Sequence, residues 1–161
     1  MLHAERQIVQ ATWAQVAPNA PAVAALFYGR LFELDPSLRP LFAHADMREQ
    51  GRKLTTMLTV AVNSLDRLED LIPAVEALGR RHAGYGVRDE HYDIVGRALL
   101  DTLAAGLGAA FTPEARDAWS EVYAALAGVM RRAAGEQEAA LRDEASRHAP
   151  AARRRSPAKV A

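Results

Sequence analysis

His82 is the residue whose type and place most invite chemistry. It follows Leu71, Val75 and Leu78 at helical spacing, so an imidazole takes the next core-facing position of an apolar stripe. Two readings are open for it. One is a core histidine bonded to its own backbone. The other is a ligand meeting a flat apolar cofactor from one side, with one ring nitrogen donating to the Leu78 carbonyl a turn earlier and the other left free for a metal. Tyr28 follows Phe27 near a second buried stripe. A buried phenol needs a hydrogen-bond partner, whereas a phenol whose hydroxyl reaches the surface needs none. Gln50 stands four residues before Leu54, directly above a core position, although a glutamine near a helix start is ordinarily a surface residue.

Other chemistries find little material. Cysteine is absent, which removes disulfides, thiolate catalysis and cysteine-held zinc or iron–sulfur centres. Any metal must be held by nitrogen or oxygen, or by a methionine. The five histidines, His3, His44, His82, His91 and His148, include no His-x-x-x-His pair of the kind a zinc peptidase places on one helical face. His91 fits a cap or a surface position next to the bend after Gly86. No motif gathers a nucleophile, so hydrolysis has no support.

The elements that must position these groups are helical throughout, with Gly and Pro as punctuation and no convincing strand alternation. Val9, Trp13 and Val16 mark a first helix, which Pro18 and Pro21 interrupt. Pro21 suits the first turn of a second helix carrying Val23, Phe27, Leu31 and Leu34. Asp35-Pro36 caps a short third piece that Pro40 and Phe42 end or distort. A long run follows with Leu54, Leu58, Ala61, Leu65 and Leu68 on its buried side, and then the stripe leading to His82, released by Gly84 and Gly86. Two more helices carry Tyr92, Val95, Leu99 and Leu103, then Trp119, Val122, Leu126 and Val129 after Thr112-Pro113-Glu114. The expected class is all-α, about six to seven crossing helices of unequal length. Periodicity fails near Ala145, so 1–145 reads as one domain and 146–161 as a flexible basic tail.

Length and charge agree with one domain. At 161 residues the chain can bury one substantial core. Twenty basic and twenty acidic residues cancel over the whole, but the last sixteen hold five Arg or Lys and no Asp or Glu, leaving 1–145 at 15 against 20, a net of −5. That part has no nucleic-acid footprint. No long uncharged apolar run and no secretory succession are present, so neither a transmembrane segment nor export is expected, and the cytoplasm is the default location. Oligomeric state is not indicated.

Three stretches together resemble the single-domain globins of bacteria, the type that also forms the haem domain of flavohaemoglobins. They are Phe27-Tyr28-Gly29-Arg30-Leu31-Phe32 continuing to Pro36-Ser37-Leu38-Arg39-Pro40-Leu41-Phe42, then Gln50-Gly51-Arg52-Lys53-Leu54, then His82 through Gly86-Val87 to His91-Tyr92-Asp93-Ile94-Val95-Gly96. Asp117-Ala118-Trp119 and Tyr123 fit the last helix of that family.

The resemblance implies a globin-like fold enclosing haem b. It makes His82 the proximal iron ligand, Phe42 the aromatic ring on the porphyrin face, and Tyr28, Gln50 and Leu54 the distal lining. Lys53 falls where the family often reaches a haem propionate, though a solvated lysine explains it as well. Val87 becomes a packing residue at the haem edge and Tyr92 a phenol behind the histidine. The family's glutamate that joins these two is replaced by Ala134, with Glu138 a turn farther on. That departure lowers the expected anionic push on the iron. The chain also has no Gly-x-Gly-x-x-Gly for a nicotinamide or flavin half, so electrons would come from a separate reductase. The leading functional expectation is reversible binding of dioxygen. The alternatives are a nitric oxide dioxygenase dependent on that reductase and a haem-based gas sensor acting through a partner protein.

Overall fold

The computed structural model describes residues 2–148. Six α-helices, and no strand, occur among them: α1 (His3–Val16), α2 (Ala20–Leu34), α3 (Met47–Asn63), α4 (Ile72–Gly84), α5 (Asp89–Leu107) and α6 (Pro113–His148). Each break has a local cause. Pro18 converts the end of α1 into a single 3-10 turn, and Pro21 sits in the first turn of α2, where a missing N–H costs nothing. The Asp35 carboxylate accepts the Ser37 N–H at 3.0 Å and starts the 3-10 segment Pro36–Phe42. Asp46 caps α3 by accepting the Arg48 and Glu49 N–H groups at 3.0 and 3.3 Å. Thr112 does the same for α6 through the Ala115 N–H at 3.1 Å.

The run expected to continue through Leu68 is divided. α3 stops at Asn63, and Leu65–Leu71 is a tighter helix in which Arg67 leaves helical geometry at φ −141°, ψ 52°. α6 runs to His148, three residues past the limit expected at Ala145; the rest of that expected tail, 149–161, lies outside the described residues. Among the described residues no helix is long and apolar enough to cross a membrane.

The core lies where α1, α2, α5 and α6 meet, around Val9, Trp13, Phe27, Leu31, Leu103 and Trp119. Both indoles are satisfied within it: Trp13 donates to Thr59 at 3.0 Å and Trp119 to Thr12 at 2.9 Å. Two crossings depend on glycine. A Cβ on Gly51 of α3 would lie 2.8 Å from the Ala24 Cβ of α2, and one on Gly79 of α4 would lie 2.5 Å from the Met130 carbonyl oxygen of α6. Consequently α3 is drawn onto α2 and α4 onto α6, and α3 and α4 do not pack on each other to any extent. Leu54 and Leu58 on α3, and Leu78 and His82 on α4, are left half-buried.

Candidate functional site

α4 holds His82 in its last turn, and the helix end defines what surrounds it. Gly86 takes φ 92°, a left-handed value that side-chain-bearing residues rarely adopt. The Gly86 N–H donates to the Ala83 carbonyl at 3.1 Å and the Val87 N–H to the His82 carbonyl at 3.0 Å, the paired bonds of a Schellman ending. Val87, half-buried, is thereby tied to the backbone of His82. His82 Nδ1 lies 2.8 Å from the Leu78 carbonyl oxygen, the bond that the four-residue spacing suggests. Its Nε2 makes no hydrogen bond among the described residues. Burial pushes the imidazole below its usual pKa, partly opposed by the Leu78 bond and aided by the nearby Arg81 charge. The ring is therefore neutral at pH 7, the form that can ligate a metal.

Four aromatic rings gather around Tyr28 on α2. Phe27 lies 5.0 Å from it edge-on, Phe32 6.2 Å, and Phe42 5.5 Å edge-on. Phe42, at the end of the 3-10 segment, also meets Phe32 at 5.5 Å and is itself half-buried. Tyr28 is buried, which raises its phenol pKa, and a side-chain hydrogen bond with Gln50 pulls the other way. Leu54, one turn beyond Gln50, is half-buried, while Lys53 is exposed with no ion pair among the described residues.

Tyr92 is placed on the first turns of α5, held from α6. Tyr123 donates its hydroxyl to the Tyr92 carbonyl, and its ring sits against Gly96, where an added Cβ would come within 2.7 Å. The Arg131 guanidinium lies 5.2 Å from the Tyr92 ring centroid, pairs with Asp93 at 2.8 Å and donates to the Asp89 carbonyl at 3.2 Å. Burial raises the Tyr92 pKa, and the Arg131 charge opposes that. Among the described residues the Tyr92 hydroxyl itself is buried without a hydrogen-bond partner, a state that costs on the order of 1–3 kcal/mol unless something else satisfies it. Ala134 is half-buried, and Glu138 is exposed and paired with Arg142 at 3.4 Å, so the charged side chain set against the Tyr92 ring from α6 is the Arg131 cation.

Two neighbours of this site escaped the sequence reading. Arg131 was signalled only by the Asp89/Asp93 pair one turn apart on α5, which gives an exposed cation two anchors. Tyr85, 6.4 Å from the His82 ring, follows a glycine in what reads as a plain turn. His91 is a cap, its Nδ1 accepting the Arg88 N–H at 2.9 Å, but it is buried rather than on the surface.

These residues fit a haem. A neutral imidazole with one nitrogen fixed and one free, two helices on which Leu54, Leu58 and Leu78 stay half-buried, and an aromatic cluster at Phe42 are what a flat apolar group with a metal centre needs. Covering that half-buried surface would return roughly 25 cal/mol for each Å².

The fold and this site define a globin, and a family model described as Globin matches residues 25–130. The chain belongs to the globin family. It is 35% identical over 125 residues to the flavohemoprotein of Rhodopirellula baltica, covering 76% of this chain and 31% of that protein. The flavohemoprotein of Bordetella parapertussis is 35% identical over 127 residues, 78% of this chain and 32% of the relative, and that of Bacillus subtilis 29% over 123 residues, 75% and 31%. The chain thus spans about a third of the length of these relatives.

Proposed function

We propose that this globin would hold haem b through His82, stabilise bound dioxygen with Tyr28 and Gln50, and oxidise nitric oxide with electrons from a separate donor. The observation that supports it is the buried Tyr28 hydroxyl paired with Gln50 inside an aromatic cluster, a neutral donor where apolar side chains exclude water. A bound haem supplies dioxygen binding at ferrous iron and the one-electron change that accompanies oxidation of nitric oxide to nitrate. The protein's part is positional. Leu78 holds the His82 ring by Nδ1, the Schellman turn fixes the helix end beneath it, and Gln50 orients the Tyr28 hydroxyl. Lys53, exposed one residue before Leu54, is suited to a propionate at the polar edge, and Val87 and Phe42 to apolar contact. The relatives, whose name joins a flavin to a haem, favour turnover over storage alone.

Reversible oxygen binding without turnover is the second reading. It is favoured by Arg131, a cation, rather than a carboxylate, against Tyr92. The two separate under continuous turnover of the haem-loaded chain with an added reductase. Nitrate exceeding one equivalent per haem many times over supports the dioxygenase. A single equivalent, with oxygen binding intact, leaves the storage reading.

A further inference from the structure

We propose that the surface where the Pro36–Phe42 segment meets the α4–α5 turn docks an acidic one-electron donor protein, a proposal that rests on the haem reading above and names its partner. Two exposed apolar side chains meet there. Leu41 is 38% exposed and Tyr85 66%. They belong to one patch, because the Leu41 Cδ2 lies 3.4 Å from where a Gly86 Cβ would stand. Both are next to the site: Leu41 precedes Phe42, and Tyr85 stands 6.4 Å from the His82 ring. An electron carrier seated on this patch would make its closest approach to the cofactor beside His82 and Phe42.

Charge selects the kind of partner. Within four residues of Leu41 and Tyr85 along the chain stand three arginines, Arg39, Arg81 and Arg88, and one acid, Asp89, while the remaining residues of 1–145 contain twelve Arg or Lys and nineteen Asp or Glu. That acid is spent on Arg131, 3.3 Å away, and Arg88 lies 3.8 Å from Glu90. Arg39 and Arg81 have no ion pair among the described residues. A net-positive rim on an otherwise acidic domain orients an incoming protein by its acidic face, and the apolar centre supplies contact once the rim has steered it. One electron leaves the reduced flavin of the donor and returns the haem iron from ferric to ferrous, with no bond made to either protein.

The test uses the haem-loaded full chain and a flavodoxin, a small acidic flavin carrier, as the probe. Calorimetry measures its binding in the oxidised state, and stopped flow measures reduction of the ferric protein by its reduced state. The expectation is binding and reduction that both weaken about tenfold or more between low and physiological salt. Reversing Arg39→Glu and Arg88→Glu together should produce a similar loss at low salt, and Tyr85→Ser a smaller one. Arg67→Glu, in the segment between α3 and α4, should change neither. Equal binding by wild type and the double variant, no binding at low salt, or an equal loss in Arg67→Glu would overturn the docking surface. Failure of the haem reading appears separately, as a wild-type protein without a histidine-ligated haem spectrum, and calorimetry still reports on the surface in that case.

Discussion

Burial moves Tyr28 and His82 in opposite directions on the pH scale and leaves both neutral at pH 7. For Tyr28 this keeps a proton available to donate. A hydrogen bond to a charged acceptor is worth about 1.5–3 kcal/mol, so Tyr28→Phe should speed oxygen dissociation by roughly ten- to a hundredfold, measured by stopped flow. An unchanged rate removes Tyr28 as the anchor. The pH consequence follows from the sign of the shift. With its folded pKa above the ordinary 10.0, the phenol's contribution is complete below that value and lost only as pH rises through the higher one. In an ultraviolet titration, Tyr28→Phe should therefore leave the absorbance change around pH 10 unaltered; loss of one tyrosine's amplitude there would contradict the burial. At this scale the sequence was informative for His82, whose spacing from Leu78 already suggested the backbone bond. It was silent on Tyr28's partner, because Gln50 is distant in sequence and pairing depends on how α2 crosses α3. His91 shows the same limit: its role as a cap was legible, its burial under neighbouring elements was not.

The elements carry the site by two glycine crossings, and α4 offers the sharper test. At Gly79 the obstacle to a side chain is the backbone of Met130, which cannot rotate away, so Gly79→Ala must push α4 off α6. The expected cost is about 1–3 kcal/mol in denaturant unfolding, together with weaker haem affinity because His82 travels with the helix. Wild-type values for both would mean that the crossing does not position the histidine. Helix starts were readable here where Pro21 and Thr112 act locally, while the cap at Asp46 reads only as a polar connection. The division of the third run after Asn63 was not: Leu65 and Leu68 are three apart, a spacing common to α and 3-10 geometry over a single turn. The α4 ending was legible as glycine-rich, but only the positive φ assigns the turn to Gly86 rather than Gly84.

At the scale of the whole molecule, the all-helical class and its globin likeness were readable because six amphipathic stretches of unequal length occur in an order that the three motif stretches share with one family. The extent of α6 was less so, since Glu138–Arg142 and Asp143–Arg147 pairs prolong a helix that has no buried stripe. Every residue from Glu138 to His148 is exposed. Truncation after Ala145 should accordingly leave haem affinity and the thermal midpoint of the loaded protein unchanged, and a loss of either would make that end structural. Haem binding is linked to folding, so the proposed iron ligand His82 is the side chain whose removal is most telling. The direct measurement is haem titration of the wild type, His82→Ala and His91→Ala, read by absorption and resonance Raman spectroscopy of the ferrous state. A five-coordinate histidine-bound spectrum is expected in the wild type and in His91→Ala, and its loss in His82→Ala with most helical content retained. The same histidine signature persisting in His82→Ala would contradict His82 as the ligand.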